Sequence, residues 1–207
     1  MDDSKGLIIF AREPLSGRVK TRLAATIGNL AATELYKSML REVLKRCGEL
    51  ADVYTVVFWD CEAASLPFLA ERYGCRSRCQ SPGDLGERMQ AAFDEMFADG
   101  CKVCCIIGSD APDLPVSYIQ EAFDLLTVQQ TDAVFGPSHD GGYYLLGLSR
   151  LLPELFRDID WSTPLVLQQS LAAAERAGIK RALLPEWYDI DTEDDLEKYR
   201  ARKSGAA

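Results

Sequence analysis

The sequence predicts one α/β domain with a mostly parallel central sheet flanked by helices. Three observations predict it. Short apolar runs alternate with amphipathic helical runs along the whole chain, the pattern of strand–helix–strand units with right-handed crossovers. The run "KVCCIIG" (102–108) is apolar without a break from Val103 to Ile107, as in a strand buried on both sheet faces. The 207 residues, without repeats or low-complexity tracts, suit one domain, residues 1–207, large enough to bury a real core.

The elements follow in order. "GLIIFA" (6–11) reads as the first strand. In "LAATELYKSMLREVLKRC" (30–47), Leu35, Met39, Val43 and Cys47 recur every four residues, so this is a helix, with Asn29 placed to cap it and Gly48 to end it. "VYTVVFW" (53–59) is the second strand, and a short helix near "LPFLAERYG" leads to a weak strand at 76–80. "DLGERMQAAFDEMFADG" (84–100) is a helix with Met89, Phe93 and Met96 on one face, followed by the apolar strand. "PVSYIQEAFDLL" (115–126) is a helix with proline at its first position. "DAVFGP" (132–137) and "GYYLLGL" (142–148) are strands, joined by a hairpin in which Gly141 and Gly142 supply positive φ. A helix over 162–178, started by Ser162 or Thr163, a strand at 180–185 and a last helix at 192–203 complete the chain.

Composition narrows the function classes. Hydrophobic residues make up 47% and charged residues 27%, as in a soluble globular protein. The net charge of -9 argues against a nucleic-acid-coating surface, so any polyanionic ligand needs a local cluster of cations. No apolar run reaches the roughly 20 residues of a membrane span. The acidic start "MDDSKGLIIFAREP" carries no cleavage signal, and we expect a cytoplasmic protein. Cys104 and Cys105 read as buried strand residues. Cys75/Cys79 and Cys101/Cys104 would make a zinc site only if the two pairs met in space.

In a parallel sheet, ligands bind beyond the carboxyl ends of the strands. Four such loops carry chemistry. "AREPLSGRVKTRL" (11–23) places Arg12, Arg18, Lys20 and Arg22 in eleven residues of an acidic protein, a candidate diphosphate cradle. It has neither the G-x-x-x-x-G-K pattern nor G-x-G-x-x-G. In "SPGDLGERM" (81–89), Asp84 either caps the next helix or, with Gly83 and Gly86, lets backbone approach a base or ribose. In "GSDAPDLP" (108–115), Asp110 sits at the sheet mouth, placed for a hard cation, while Asp113 is expected to cap a helix. In "WYDIDTEDDL" (187–196), Thr192 and Asp195 form a capping box, and alternation points Asp189 and Asp191 the same way. Asp191 is the second expected metal ligand. The only histidine, His139, stands in the hairpin "SHDGGYY" beside Asp140.

Taken in order, "GRVKTRL", "GDLGERM", "GSDAPDLP", "GPSHDGGYYLLGL", "DIDWSTP" and "DIDTEDDL" resemble the bacterial nucleotide-diphospho-sugar transferase family, over about residues 6–200. "VKTRL" and "DIDTEDDL" are also similar to guanylyltransferases of cofactor biosynthesis. The resemblance implies a Rossmann-like glycosyltransferase-A fold, a nucleotide over the first half of the sheet and a divalent metal, Mg²⁺ or Mn²⁺, near Asp110. The usual D-x-D acid pair reads Ser109-Asp110-Ala111-Pro112 here, leaving one aspartate to be helped from afar by Asp191.

Three functions follow. The first is a metal-dependent transferase that uses a nucleotide sugar: Arg12, Lys20, Arg22, Asp84 and Gly86 would hold the nucleotide, and Asp110 and Asp191 the metal. The acceptor would enter over Tyr143 and Trp161, and Asp140 or His139 would take its proton. The second is a nucleotidyltransferase that joins a nucleoside triphosphate to a small phosphorylated substrate. The third is a non-catalytic nucleotide-binding protein. Periodicity leaves open whether an apolar face pairs two copies into a homodimer.

Overall fold

A computed structural model describes residues 5–205 of the chain. Seven strands form one sheet: β1 (Lys5–Arg12), β2 (Val53–Asp60), β3 (Ser77–Cys79), β4 (Val103–Gly108), β5 (Ala133–Pro137), β6 (Tyr143–Leu148) and β7 (Arg181–Leu183). Their order is β3-β2-β1-β4-β6-β5-β7. All neighbours pair in parallel except β6, which runs antiparallel to both β4 and β5. The expected sheet therefore forms, with one reversed strand where the hairpin returns.

The helices are α1 (Thr21–Ile27), α2 (Asn29–Cys47), α3 (Leu66–Tyr73), α4 (Leu85–Ala98), α5 (Val116–Thr127), α6 (Val166–Arg176) and α7 (Glu193–Gly205). Side-chain alternation along β1 divides them between two faces. Leu7, Ile9 and Ala11 pack with Tyr36, Leu40 and Val43 of α2, and the same cluster takes in Leu69 of α3 and Phe123 of α5. Ile8 points the other way, into a cluster with Met89, Phe93 and Met96 of α4 and Ala173 and Ala174 of α6. Burying side chains of this size stabilises by about 1.5–3 kcal/mol each, and Leu7, Ile8, Ile9 and Phe93 have no exposed surface at all.

Several local expectations give way to other partners. Asn29 does not cap α2: Gly28 precedes the helix, and the Asn29 carbonyl accepts a bond from the Thr33 hydroxyl at 2.7 Å. Asp113 does not cap α5; its carboxylate receives the Tyr188 hydroxyl. The helix expected from 162 starts only at Val166, because Ser162 has φ +64° and breaks the helical path. In the β5–β6 hairpin, Gly141 has φ +87°, whereas Gly142 lies outside the left-handed region. The cysteine pairs do not meet as a zinc site: Cys101 and Cys104 lie in the α4-side cluster, whereas Cys75 packs against the opposite one. Among the described residues no helix is long and apolar enough to cross a membrane.

Candidate active site

The carboxyl ends of β1 to β4, the β5–β6 hairpin and the segment leading to α7 surround a cleft of about 620 Å³. That volume is in the usual range for small-molecule sites, roughly 300–1,000 Å³.

Lys20 is its centre. The chain leaves β1, turns through 13–20 and reaches Lys20 in the left-handed conformation, φ 49° and ψ 46°, immediately before α1. Its Nζ donates to Asp110 Oδ1 at 2.7 Å and to Asp191 Oδ1 at 2.8 Å. The lysine side chain is 3% exposed, the two aspartates 43% and 46%. Burial acts to lower the pKa of this ammonium, but the charges and hydrogen bonds of Asp110 and Asp191 outweigh it and leave the pKa raised.

A small cluster fixes these three residues. Leu23, one turn into α1, and Ile190, next to Asp191, are both fully buried and pack with Met39, Leu196 and Tyr199. The Ile190 N–H also donates to the Asp110 carbonyl at 3.1 Å. Tyr36 of α2 clamps the other side. Its hydroxyl lies 2.9 Å from Ser109 Oγ and accepts the Arg12 N–H at 2.9 Å, tying the ends of β1 and β4 together. Burial, then the Asp110 charge, pushes the Tyr36 hydroxyl up to about 12, so it stays protonated and available to donate.

Asp189 and Asp191 both line the cleft, as their alternation implied. Burial first, then the neighbouring charge of Asp110, pushes the Asp189 carboxyl up to about 7. Arg12 and Arg22 also line the cleft. Arg88, at the start of α4, faces Asp60 at the end of β2 across 3.4 Å.

The other end of the cleft is made by the hairpin and the segment 157–165. Asp140 Oδ1 accepts from the Ser138 hydroxyl and from the Gly142 N–H at 3.0 Å, which orients the carboxylate. Tyr143, Trp161, Ser162 and Thr163 complete this end. The hairpin is seated on the segment: Leu167 N–H donates to the Gly141 carbonyl at 3.0 Å, and a Cβ on Gly141 would overlap the Pro164 carbonyl.

Several residues singled out in the sequence lie elsewhere, among them Arg18 of the expected diphosphate cradle, which is exposed and does not line the cleft. His139 is not in the cleft lining; its side chain is 63% exposed and its nearest charged neighbour is Glu186, at 3.9 Å. The His139 backbone N–H donates to the Trp187 carbonyl at 3.1 Å, which anchors this side of the hairpin. Asp84 forms a reciprocal capping box with Glu87, so its carboxylate is spent on the start of α4. Gly86 makes room for a protein group: a Cβ there would overlap the indole of Trp161. Asp60 and Arg88 were missed in the sequence. The available signal was an acid at the last residue of a strand, opposite a basic residue one turn into a helix.

Among the described residues no group of three or more His, Cys, Asp and Glu side chains forms a metal cage. Mg²⁺ commonly takes only one or two protein carboxylates and completes its shell with phosphate and water. Asp110 and Asp191 converge on one cation, the lysine ammonium, and so fit such an ion. The positions two residues before and after Asp110 are Gly108 and Pro112, so the carboxylate that joins Asp110 comes from the far end of the chain.

Residues 43–163 match the model of a bacterial family, DUF2064, described as "Uncharacterized protein conserved in bacteria". Among curated proteins none matches by sequence. A solved structure from Desulfovibrio desulfuricans G20, described as a "putative nucleotide-diphospho-sugar transferase", is 33% identical with a TM-score of 0.90, covering 97% of this chain and 88% of its own. A CMP:2-keto-3-deoxy-manno-octonic acid synthetase complexed with CTP aligns at TM-score 0.64 and 14% identity, over 99% of this chain and 100% of its own. Molybdopterin-guanine dinucleotide biosynthesis protein A from Archaeoglobus fulgidus aligns at 0.60 and 15%, over 97% and 99%. The last two likenesses concern the fold alone.

Proposed function

The chain belongs to the DUF2064 family and has a glycosyltransferase-A and nucleotidyltransferase type of fold, and from that premise we propose that it is a metal-dependent transferase using a nucleotide-diphospho-sugar. The observation that carries this reading is the convergence of Lys20, Asp110 and Asp191 at the mouth of the sheet. A cation and two acids in contact can hold a diphosphate together with a divalent ion. The description of the Desulfovibrio relative supports the same class.

In this reading Lys20, Arg12 and Arg22 hold the diphosphate oxygens, and Asp110 and Asp191 hold Mg²⁺ or Mn²⁺. A divalent ion held there would supply charge neutralisation for the leaving diphosphate. The acceptor hydroxyl oxygen bonds to the anomeric carbon while the bond from that carbon to the diphosphate oxygen breaks. Asp140, oriented by Ser138 and Gly142, takes the hydroxyl proton. His139 has no part in this step, since it faces away from the cleft.

A second reading, nucleotidyl transfer from a triphosphate, is favoured by one observation: the cleft carries a single aspartate after β4, paired with one from the last segment, rather than a D-x-D pair. The test is thermal stability with Mg²⁺ or Mn²⁺ and a panel of nucleotide sugars and nucleoside triphosphates. A ligand that binds only the folded state raises the melting temperature. Metal-dependent stabilisation by nucleotide sugars and not by triphosphates is expected, the reverse supports the second reading, and no shift with any nucleotide sinks both.

A further inference from the structure

The two ends of the cleft differ in charge, and the difference bears on the acceptor. At the end formed by β1 to β4, the lining includes Arg12, Lys20, Arg22 and Arg88. At the end formed by the hairpin and 157–165, it is Ser138, Asp140, Tyr143, Trp161, Ser162 and Thr163, and no lysine or arginine stands among these. The one cation near the middle, Lys20, contacts Asp110 and Asp191 and is assigned to the diphosphate in the reading above. His139, the remaining basic group on the hairpin, points outward with 63% of its side chain exposed and faces Glu186.

A phosphate ester bound at this end would stand beside the exposed Asp140 carboxylate, where like charges repel, with no lysine or arginine of the hairpin or of 157–165 lining the cleft to offset that repulsion. The groups present suit another chemistry. Tyr143 and Trp161 offer aromatic faces, and Asp140 accepts hydrogen bonds only. Trp161 is held in place, because its indole lies in the space left by the missing side chain of Gly86 at the start of α4.

We propose that the acceptor is an uncharged hydroxyl compound of sugar or polyol type, with an apolar face against Trp161 and Tyr143 and a hydroxyl on Asp140, and that phosphate esters are excluded. This rests on the nucleotide reading of the cationic end. It also separates the two reactions above, since a phosphorylated second substrate would have no cation to meet it.

The test uses the full chain saturated with a nucleoside diphosphate and Mg²⁺, which occupies the cationic end. Inorganic phosphate and glucose 6-phosphate are then titrated in turn by calorimetry, against wild type and Ser162→Arg. Wild type is expected to show no saturable second site for either anion in the millimolar range. Ser162→Arg is expected to gain one, at least about tenfold tighter than any wild-type signal, as a single added charge-assisted contact allows. A second anion site in the wild type overturns the proposal. So does failure of Ser162→Arg to gain one, since that end would then not be open to a solute. If the nucleoside diphosphate itself does not bind, the nucleotide reading fails first, in a separate and earlier measurement.

Discussion

The cleft has two halves built by different means. One half rests on parallel strands β1 to β4, each running out into a loop, with cations supplied by the end of β1, the turn after it, α1 and α4. Its key side chains are held twice over: Tyr36 bonds the ends of β1 and β4, and the cluster of Leu23, Met39, Ile190 and Leu196 ties the Lys20 loop to the Asp191 segment. The other half rests on one antiparallel return, β5 to β6, and on an irregular segment with positive φ at Asp158 and Ser162. The first half concentrates positive charge and the second offers hydroxyls, aromatic rings and one carboxylate. The contrast teaches that affinity for a diphosphate and selection of an acceptor are separate properties of separate elements, and should be separable by mutation.

The largest expected effect tests the cationic half. Lys20→Ala should weaken a nucleoside diphosphate by about 10- to 100-fold, the range for losing a hydrogen bond to a charged group, and leave the bare nucleoside nearly unchanged. Equal losses in a calorimetric titration would count against a phosphate role. Next, Asp110→Ala should abolish the extra thermal stabilisation that Mg²⁺ gives to nucleotide-bound protein; undiminished metal dependence would put the ion elsewhere. In the acceptor half, Gly141→Ala must adopt φ +87° and overlap the Pro164 carbonyl. It should cost about 2 kcal/mol in urea unfolding while diphosphate affinity in the folded protein stays within about twofold. A large loss of affinity would break the separation of the halves.

The Asp189 carboxyl lies between the halves, and its titration gives a smaller effect. Its folded pKa of about 7 is raised from 3.8, chiefly by burial and then by Asp110. The folded state therefore keeps a proton that the unfolded chain has lost, and stability present below about pH 4 is lost as pH rises through 7. Asp189→Asn does not titrate. Its stability relative to wild type should rise by about 1–2 kcal/mol between pH 5 and pH 8, below the full linkage value because the side chain is partly solvated. A difference independent of pH would show that Asp189 is not raised. The smallest effect is at His139: His139→Asn should change the turnover rate by less than about twofold, and a loss of turnover with intact nucleotide binding would return the histidine to the chemistry.

Much of the fold was legible because period and apolarity are local. β4 was evident from its run of apolar residues, and β1, β2 and α2 from alternation or four-residue spacing. The reversal of β6 was implied by the short connection at 138–142, since a parallel return needs a long crossover. In the site, Lys20, Asp110 and Asp191 could be named because each follows a strand, although 171 residues separate the outer two. What could not be read was direction. His139 and Asp140 are neighbours in sequence, yet one side chain lies outside the cleft while Ser138 and Gly142 hold the other in it. Asp84 and Gly86 looked equally suited to a ligand or to the protein itself, and the indole of Trp161, 75 positions away, decided the second. Such outcomes depend on tertiary neighbours that no window of sequence contains.

The single reversed strand has a consequence for how such a protein can change. A parallel neighbour would need a crossover helix packed on a sheet face, so altering its loop would disturb the core. The five residues at 138–142 and the segment 157–165 meet at Gly141 and Pro164, at the carboxyl rim of the sheet, with outside anchors at Trp187 for the hairpin and at Gly86 for Trp161. With Ile159 and Trp161 kept, rewriting the exposed positions of the two stretches leaves the strand order and the Lys20 junction untouched. One scaffold with a constant donor grip can thus be refitted for different acceptors by edits to two short stretches.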